Sequence, residues 1–199
     1  YFEMFAQQPN ITLLLHSFLC GVEVEAGNIT RVTVAGKNTT TSYQAKTFID
    51  ATGDGDLAAL CHVGFDKGRP SDGYTQPMSM IFKVGGIDFG KVISYMRQNP
   101  EQFILHKDYK QLDRYLAVSG FFDIVRLAKA CGDFNIPRDR ILFFQGLHPG
   151  EAFINTSRII KLSGLSSHDQ TIAETEAARQ VEELLTFFRK YLPGFESSY

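Results

Sequence analysis

The residues best suited to chemistry form one short run, Gly53-Asp54-Gly55-Asp56-Leu57-Ala58, with the pattern G-x-G-x-x-A. In a dinucleotide-binding fold such glycines allow a tight turn and bring the backbone close to a phosphate or ribose, while the following helix favours an anion. Asp54 and Asp56 do not suit pyrophosphate, because carboxylates repel a dianion. The run therefore favours a ribose or polyol hydroxyl as its partner. A plain strand–turn–helix corner, with Asp56 as the helix cap, is the alternative.

The other reactive residue types do not form recognisable groups. Cys20, Cys61 and Cys131 are far apart and odd in number, and the sequence has no C-x-x-C or Cys/His cluster. This spacing indicates reduced thiols rather than a disulfide framework or a zinc site. The sequence also lacks metal-ligand spacing and a Ser-His-Asp arrangement in a motif context, so we expect no metal.

Elements on both sides must position the glycine turn. Residues 11–19 form a dense apolar run that predicts a buried strand, and residues 47–51 predict another strand directly before the turn. Alternating residues over 22–34, interrupted by an Ala-Gly-Asn turn, predict a β-hairpin. Leu57 opens a short helix after the turn.

The composition changes at residues 66–77, which are polar and rich in glycine and proline and predict a crossing between two domains. Beyond it, the patterns predict strands over 78–84, 140–146 and 151–159 and helices over 88–98, 100–118 and 120–131. A long helix follows, with apolar residues at 3.6-residue spacing. We expect Asp169 to cap it and Pro193-Gly194 to end it.

The formal net charge is −2, and 21% of the residues are charged. That balance gives no electrostatic reason to expect nucleic acid or an anionic membrane as a partner. No stretch approaches the roughly 20 apolar residues of a membrane helix. The chain begins at Tyr1 inside a helical pattern, without an initiator Met or a signal peptide, which predicts that the native amino terminus lies elsewhere. We expect a cytoplasmic protein.

The segment Ala45–Ala58 resembles the second FAD-binding signature of the FAD-dependent oxidoreductases. These two-dinucleotide-fold flavoproteins include heterodisulfide-reductase-like relatives. In them, a stretch of the form A-K-x-x-I-D-A-T-G-D-G-D-L-A follows a β-ribbon and returns the chain to the parallel sheet. Phe153–Ile159 is similar to the group's N-x-T-R-V element, and Asp169–Glu196 resembles the helical segment after it. The likeness is good over 11–66 and 150–196.

The resemblance implies that FAD is the cofactor and that residues near the turn contact it. Leu19 is expected to meet the adenine through its backbone. The turn residues that the resemblance places against the cofactor are Thr52, Gly53, Asp54, Gly55 and Asp56. The group's G-x-G-x-x-G, which holds the pyrophosphate, and its last flavin-contacting segment have no counterpart here. We therefore expect an internal fragment that carries no FAD and is inactive by itself.

The resemblance also draws attention to Arg158, at the end of a predicted strand and close to Asn155. In a flavoenzyme, an arginine at such a position can hold a substrate carboxylate or stabilise charge on a reduced flavin. We predict Arg158 and Asn155 as catalytic residues, and a surface ion pair is the alternative for Arg158. Gln76 and Ser79 are further candidates for hydrogen bonds to the ring or the substrate.

These features predict an α/β fold with an α+β part. Residues 1–66 form part of an FAD-binding domain, a Rossmann-like sheet with its β-ribbon. Residues 67–160 form an inserted α+β substrate domain, and residues 161–199 form a long helix that packs back toward the FAD-binding part. The interrupted sheet leaves an open edge, which favours self-association into a homo-oligomer.

The expected function of the intact parent is transfer of hydride or electrons between FAD and a small-molecule substrate. Two alternatives stay open. One is an electron-transfer subunit that relays electrons to iron–sulfur clusters elsewhere in the parent, since clusters need grouped cysteines that this chain lacks. The other is a binding or assembly module that has kept the fold and lost the cofactor.

Overall fold

A computed structural model describes residues 2–104 and 116–199. The chain separates into two compact units, Tyr1–Asp66 and Lys67–Tyr199, and the boundary falls at the start of the polar segment rich in glycine and proline. Each unit combines helices with a small sheet, and every strand pairing among the described residues is antiparallel. The fold is therefore mixed α/β.

The first unit contains a three-stranded sheet in the order β1-β2-β3. Its elements are α1 (Phe2–Ala6), β1 (Phe18–Glu25), β2 (Asn28–Ala35), β3 (Thr40–Tyr43) and α2 (Asp56–Leu60). The predicted hairpin is confirmed. Ala26 and Gly27 connect β1 to β2 with φ of 49° and 80°, and two successive positive φ values are typical of the hairpin turn that follows the twist of the sheet.

Two predicted strands of the first unit are wrong. Residues 11–17 and 47–51 have no regular secondary structure, and apolar side chains in both, such as Leu15 and Ile49, are exposed. A strand needs a neighbour for its backbone hydrogen bonds, and no described segment pairs with either run. The Rossmann-like sheet therefore stays a prediction.

The second unit is a four-stranded antiparallel sheet in the order β4-β7-β6-β5, with three α-helices packed on it. Its strands are β4 (Phe82–Val84), β5 (Ala117–Gly120), β6 (Ile141–Gln145) and β7 (Ala152–Ile154). Its helices are α3 (Phe89–Gln98), α4 (Phe122–Ala130) and α5 (Ser167–Tyr191), and a 3-10 turn covers Pro100–Gln102.

Alternation along the strands places one face of the second sheet in the core. Ile141 and Phe143 of β6 are fully buried, whereas Leu142 and Phe144 between and after them are half-buried. Phe143 pairs with Ile154 of β7, which is also fully buried. The three helices complete this core with the buried side chains Val92, Met96, Val125, Ala128, Leu184, Phe187 and Phe188.

The helix predicted over 100–118 is wrong in its described parts. It begins as the short 3-10 turn, and Ala117 and Val118 lie in β5, paired with Phe144 and Phe143. Pairing of these residues with the buried strand β6 outweighs their weak helical pattern. Residues 105–115 lie outside the described residues.

The long helix α5 is confirmed, although its start differs from the prediction. Ser166, not Asp169, is the N-cap, because its hydroxyl accepts a hydrogen bond from the Asp169 backbone N–H at 3.2 Å. The Asp169 carboxylate instead accepts from the Ser163 N–H at 2.8 Å. The helix packs into the core of the second unit. Its packing toward the first part stays a prediction.

The end of the chain is bound to the edge of the second sheet. The backbone N–H and C=O of Gly85, just after β4, form hydrogen bonds of 2.9 and 3.1 Å with the backbone of Tyr199. Asp88 N–H donates to the carbonyl of Gly194 at 2.8 Å, and Phe195 lies fully buried between these contacts. Residues 194–199 therefore complete the core beside β4.

Buried hydroxyl groups extend the pairing of β7 beyond its last residue. Thr156 is fully buried, and its Oγ1 accepts from Leu142 N–H at 2.9 Å and donates to the Leu142 carbonyl at 3.0 Å. Ser157 does the same on the other side, where its Oγ lies 2.8 and 3.0 Å from the backbone N and O of Met80. These side chains replace strand-to-strand hydrogen bonds on both neighbours of the segment.

Gln180 of α5 holds the next residue of the same segment. Its side chain is 2% exposed. Its Oε1 accepts from the Arg158 backbone N–H at 2.7 Å, and its Nε2 donates to the Arg158 carbonyl at 3.2 Å and to Glu176 at 3.0 Å. One buried amide thus satisfies both backbone groups of Arg158 and ties the segment to the helix.

We predict that Gln180→Leu lowers the free energy of unfolding by about 2–3 kcal/mol, because it leaves the buried backbone groups of Arg158 without partners. Urea unfolding monitored by circular dichroism measures the change. The matched control is Gln170→Leu on the same helix, since Gln170 is exposed and its side chain donates to the loop carbonyl of Gly164 in a solvent-exposed hydrogen bond. We expect it to change stability by less than about 0.5 kcal/mol. Equal losses in the two variants would contradict the role of Gln180.

A second prediction concerns the close approach of Gly120 to the 3-10 turn. A Cβ at this position would lie 2.2 Å from the ring of Phe103 and 2.5 Å from the Gln102 carbonyl oxygen. We expect Gly120→Ala to destabilise the protein by about 1–3 kcal/mol through overpacking. At Gly164 a Cβ meets nothing within 4 Å, so Gly164→Ala should be nearly neutral. Thermal unfolding of both variants tests the contrast.

Candidate functional site

The predicted site residues form two groups, one in each unit. The first part is the turn at residues 50–58, which we call the glycine turn. The second is a set of clefts around Arg158 in the second unit, which we call the arginine clefts.

Asp50 holds the glycine turn together. Its Oδ1 accepts from the backbone N–H and the hydroxyl of Thr52 at 3.1 and 2.7 Å, and its Oδ2 accepts from Ala58 N–H at 3.0 Å. The Thr52 oxygen in turn accepts from Asp56 N–H at 2.8 Å. These hydrogen bonds, that from the Thr52 hydroxyl foremost, hold the pKa of Asp50 below its usual value.

Side-chain oxygens of Thr52 and Asp50, which precede α2 in the sequence, therefore accept the hydrogen bonds of backbone N–H groups in its first turn. The N-cap residue is Gly55, whose backbone lies in the left-handed region and which has no side chain that could accept a capping hydrogen bond. Asp56 is the first helical residue rather than the cap, which corrects the alternative interpretation of this residue. Asp50 was missed as a site residue, although the Asp-x-Thr spacing before the glycines is a recognisable Asx-turn signal.

The backbone conformation of the glycine turn is as predicted. Gly53 has φ of 89° and Gly55 has φ of 74°, which are values that residues with a Cβ rarely adopt. A Cβ at either position would meet nothing within 4 Å. Conformation rather than crowding therefore explains both glycines, and the open space lies beside exposed backbone.

The glycine turn presents oxygen acceptors to solvent. Thr52, Gly53, Asp54 and Asp56 are exposed, and Gly55 is half-buried. Two exposed carboxylates within a short turn make the surface negative, which disfavours a phosphate and favours hydroxyl donors. Helix α2 has five residues, too few to add much dipole. These hydrogen-bond acceptors thus fit the hydroxyl groups of a sugar or polyol and do not fit pyrophosphate.

Leu19 lies in β1, opposite Val34, and is half-buried. The register between β1 and β2 shifts directly after it, between Leu19 and Gly21. Such an irregularity leaves local backbone groups outside the ladder. A backbone contact from Leu19 to an adenine stays a prediction.

In the second unit, Arg158 and Asn155 line one cleft. Arg158 lines three neighbouring clefts of about 790, 570 and 440 Å³. The smallest of these also contains Gln76, Ser79, Asn155 and Ser157. The structure therefore brings the four sequence-predicted polar residues of this region to one concave surface.

Ser79 and Asn155 are connected directly. The Ser79 hydroxyl lies 2.9 Å from Asn155 Oδ1 and 2.9 Å from the Ser157 carbonyl. Oδ1 of Asn155 therefore faces Ser79, and its side-chain N–H₂ is the group that can donate to another partner. Asn155 is thus oriented as a hydrogen-bond donor.

Arg138 is the residue of the arginine clefts that sequence analysis missed. It lines the clefts of 570 and 440 Å³ together with Arg158. Burial, followed by the nearby charges of Arg158 and Arg140, lowers the pKa of Arg138 below its usual value. An arginine stays charged at neutral pH even so. The run Arg138-Asp139-Arg140 before β6 was the available signal, but it has the composition of an ordinary surface loop.

The described residues contain no group of three or more His, Cys, Asp and Glu side chains that could hold a metal ion. Cys20 and Cys131 are exposed, and Cys61 is half-buried. None of the helices within residues 2–104 and 116–199 combines the length and apolar character needed to cross a membrane.

The chain was compared with protein-family models, curated proteins and solved structures. A family model described as FAD dependent oxidoreductase matches residues 1–199, the whole chain. No curated protein matches significantly. No solved structure does so either.

Proposed function

Because the chain belongs to the FAD dependent oxidoreductase family, we propose that it takes part in the transfer of hydride or electrons between FAD and a small substrate. The observation that carries this proposal is the glycine turn. Its two left-handed glycines and its Asp50–Thr52 hydrogen bonds keep exposed backbone and carboxylate oxygens available to a polyhydroxyl ligand.

The glycine turn would hold the sugar or polyol part of FAD. Thr52 and Gly53 offer backbone contacts, and Asp54 and Asp56 accept hydrogen bonds from hydroxyl groups. FAD supplies the redox chemistry itself, and protein groups position the substrate and tune the ring. The pyrophosphate needs another partner, since the only G-x-G-x-x-[GA] run of these 199 residues carries two carboxylates.

Arg158 and Asn155 would serve the substrate rather than FAD binding. Asn155 is oriented to donate a hydrogen bond, and Arg158 offers a planar fork that matches a carboxylate. Gln180 and Thr156 fix the backbone on which both side chains stand. This support suits a positioning role, because precise placement of reacting groups is a main source of rate enhancement.

We predict that Asp54→Asn in the full-length protein weakens FAD binding about tenfold, through the loss of a charged hydrogen-bond acceptor. Fluorescence titration with FAD measures the dissociation constant. Asp66→Asn is the control, since Asp66 is also exposed and lies in the same unit. Purification without a flavin absorption band, and no saturable binding on addition of FAD, would support a cofactor-free module instead.

A further prediction concerns the 199 residues by themselves. We expect them to bind FAD with a dissociation constant of about micromolar or weaker, because the pyrophosphate lacks its charge-assisted hydrogen bonds. The same fluorescence titration of the purified chain tests this. Saturable binding at nanomolar FAD would show that these residues hold the whole cofactor, and would contradict the assignment of the glycine turn to its hydroxyl groups alone.

A further inference from the structure

The smallest of the arginine clefts has an unbalanced charge. It measures about 440 Å³ and contains both Arg138 and Arg158, with no carboxylate among its lining residues. Within the described part of the chain, neither guanidinium makes an ion pair with Asp or Glu. Two positive charges therefore share one concave surface, and no carboxylate of the described residues pairs with either of them.

The nearest acidic residue does not balance these charges. Asp139 follows Arg138 directly, but its carboxylate is bound by Arg140, with Nε–Oδ1 and Nη2–Oδ2 distances of 2.8 and 3.3 Å. That pairing holds the pKa of Asp139 below its usual value. Arg140 and Asp139 thus neutralise each other, and Arg138 and Arg158 are left with a charge of +2 between them.

Arg138 also has a buried donor without a partner. Its Nε–H is inaccessible to solvent and makes no hydrogen bond with any described residue. A buried, unsatisfied group on a charged side chain is costly. Arg138 as a whole is only half-buried and lines the cleft, so the rest of its guanidinium can meet a ligand there.

The rest of the cleft fits an organic ligand rather than a bare inorganic ion. Asn155, Gln76 and Ser79 provide neutral polar groups, and Pro77, Met78 and Ile81 provide apolar surface. Asn155 can donate from its side-chain N–H₂, while its Oδ1 lies 2.9 Å from the Ser79 hydroxyl. The lining combines two guanidinium groups, one neutral hydrogen-bond donor and a small apolar surface. This combination suits a short carbon chain that carries an acidic group at each end.

We propose that this cleft binds a small dicarboxylate, with one carboxylate on the guanidinium of Arg158 and the other on that of Arg138. Two carboxylates restore neutrality, and each matches the planar fork of one arginine. The inference rests on the proposed function only in identifying this ligand as the substrate. Binding itself requires no FAD.

The test is isothermal titration calorimetry of the full-length protein with glutarate as the probe. Glutaramide, the neutral diamide of the same length, is the ligand control, and inorganic phosphate is a second anion. We expect saturable binding of glutarate, at least about tenfold tighter than either of the others. Equal binding of glutaramide, or tighter binding of phosphate, would overturn the dicarboxylate assignment.

Arg158→Gln and Arg138→Gln should each weaken glutarate binding by at least about tenfold, because each removes one charged fork. Arg31→Gln is the matched control, since Arg31 pairs with Glu23 on the β1–β2 hairpin at 3.4 Å. It should leave the glutarate affinity unchanged. Unchanged affinity in both cleft variants would overturn the proposal.

Thermal unfolding without ligand distinguishes a binding role from a structural one. If the role of Arg138 is to bind an anion, Arg138→Gln removes the repulsion between the charges of Arg138 and Arg158. The variant should then have a higher melting temperature and a lower affinity for glutarate. A lower melting temperature together with unchanged glutarate affinity would show that Arg138 is structural. Circular dichroism of each variant checks that the fold is intact.

FAD titration of the unsubstituted full-length protein, beside its glutarate titration, separates this inference from the proposed function. Glutarate binding without FAD binding would leave the dicarboxylate cleft standing and remove the flavin role. FAD binding without glutarate binding would do the reverse.

Discussion

The backbone of Asn155–Arg158 leaves the sheet after the three paired residues of β7, and buried side chains then accept and donate the hydrogen bonds that a neighbouring strand would provide. Thr156 bonds Leu142 on one side, Ser157 bonds Met80 on the other, and Gln180 bonds Arg158 from the helix. A buried backbone group without a partner would cost about 1–3 kcal/mol. The sheet, the helix α5 and the surface that carries Arg158 all depend on this arrangement.

The glycine turn solves the same problem in a different environment. Asp50 and Thr52 satisfy the first amides of α2 with side-chain oxygens, but these groups are exposed to water. Solvent competes for every one of these bonds, so each contributes less than its buried counterpart in the second unit. The turn is consequently defined by the conformation of Gly53 and Gly55 as much as by hydrogen bonding.

Local patterns were enough to predict some of these features. The hairpin of the first unit, the glycine turn and the long helix are each specified by residues within one or two turns of chain. The wrong strand and helix predictions depended on partners. Among the residues that the structure describes, no strand lies beside the apolar runs before β1 and before the glycine turn. Ala117 and Val118 form a strand because β6 lies beside them.

The candidate site shows the same limit. Arg158 and Asn155 could be singled out because the family resemblance drew attention to their segment, and the structure places both in one cleft. Arg138 and Gln180 are distant in sequence, one in a charged loop and one on an amphipathic helix. Only the folded chain brings them to Arg158, so no spacing rule applied to the sequence could have paired them.

The hydrogen bonds between Gly85 and Tyr199 have a consequence for how the second unit folds. Bringing together segments so far apart in sequence requires closing a very long loop, which is entropically unfavourable and slow. We therefore expect residues 194–199 to dock beside β4 late in folding, after β6 and β7, which are near neighbours in sequence, have paired. During synthesis, the apolar surface around Val84 would stay exposed until Phe195 has left the ribosome. Exposed apolar surface of this kind is what chaperones bind.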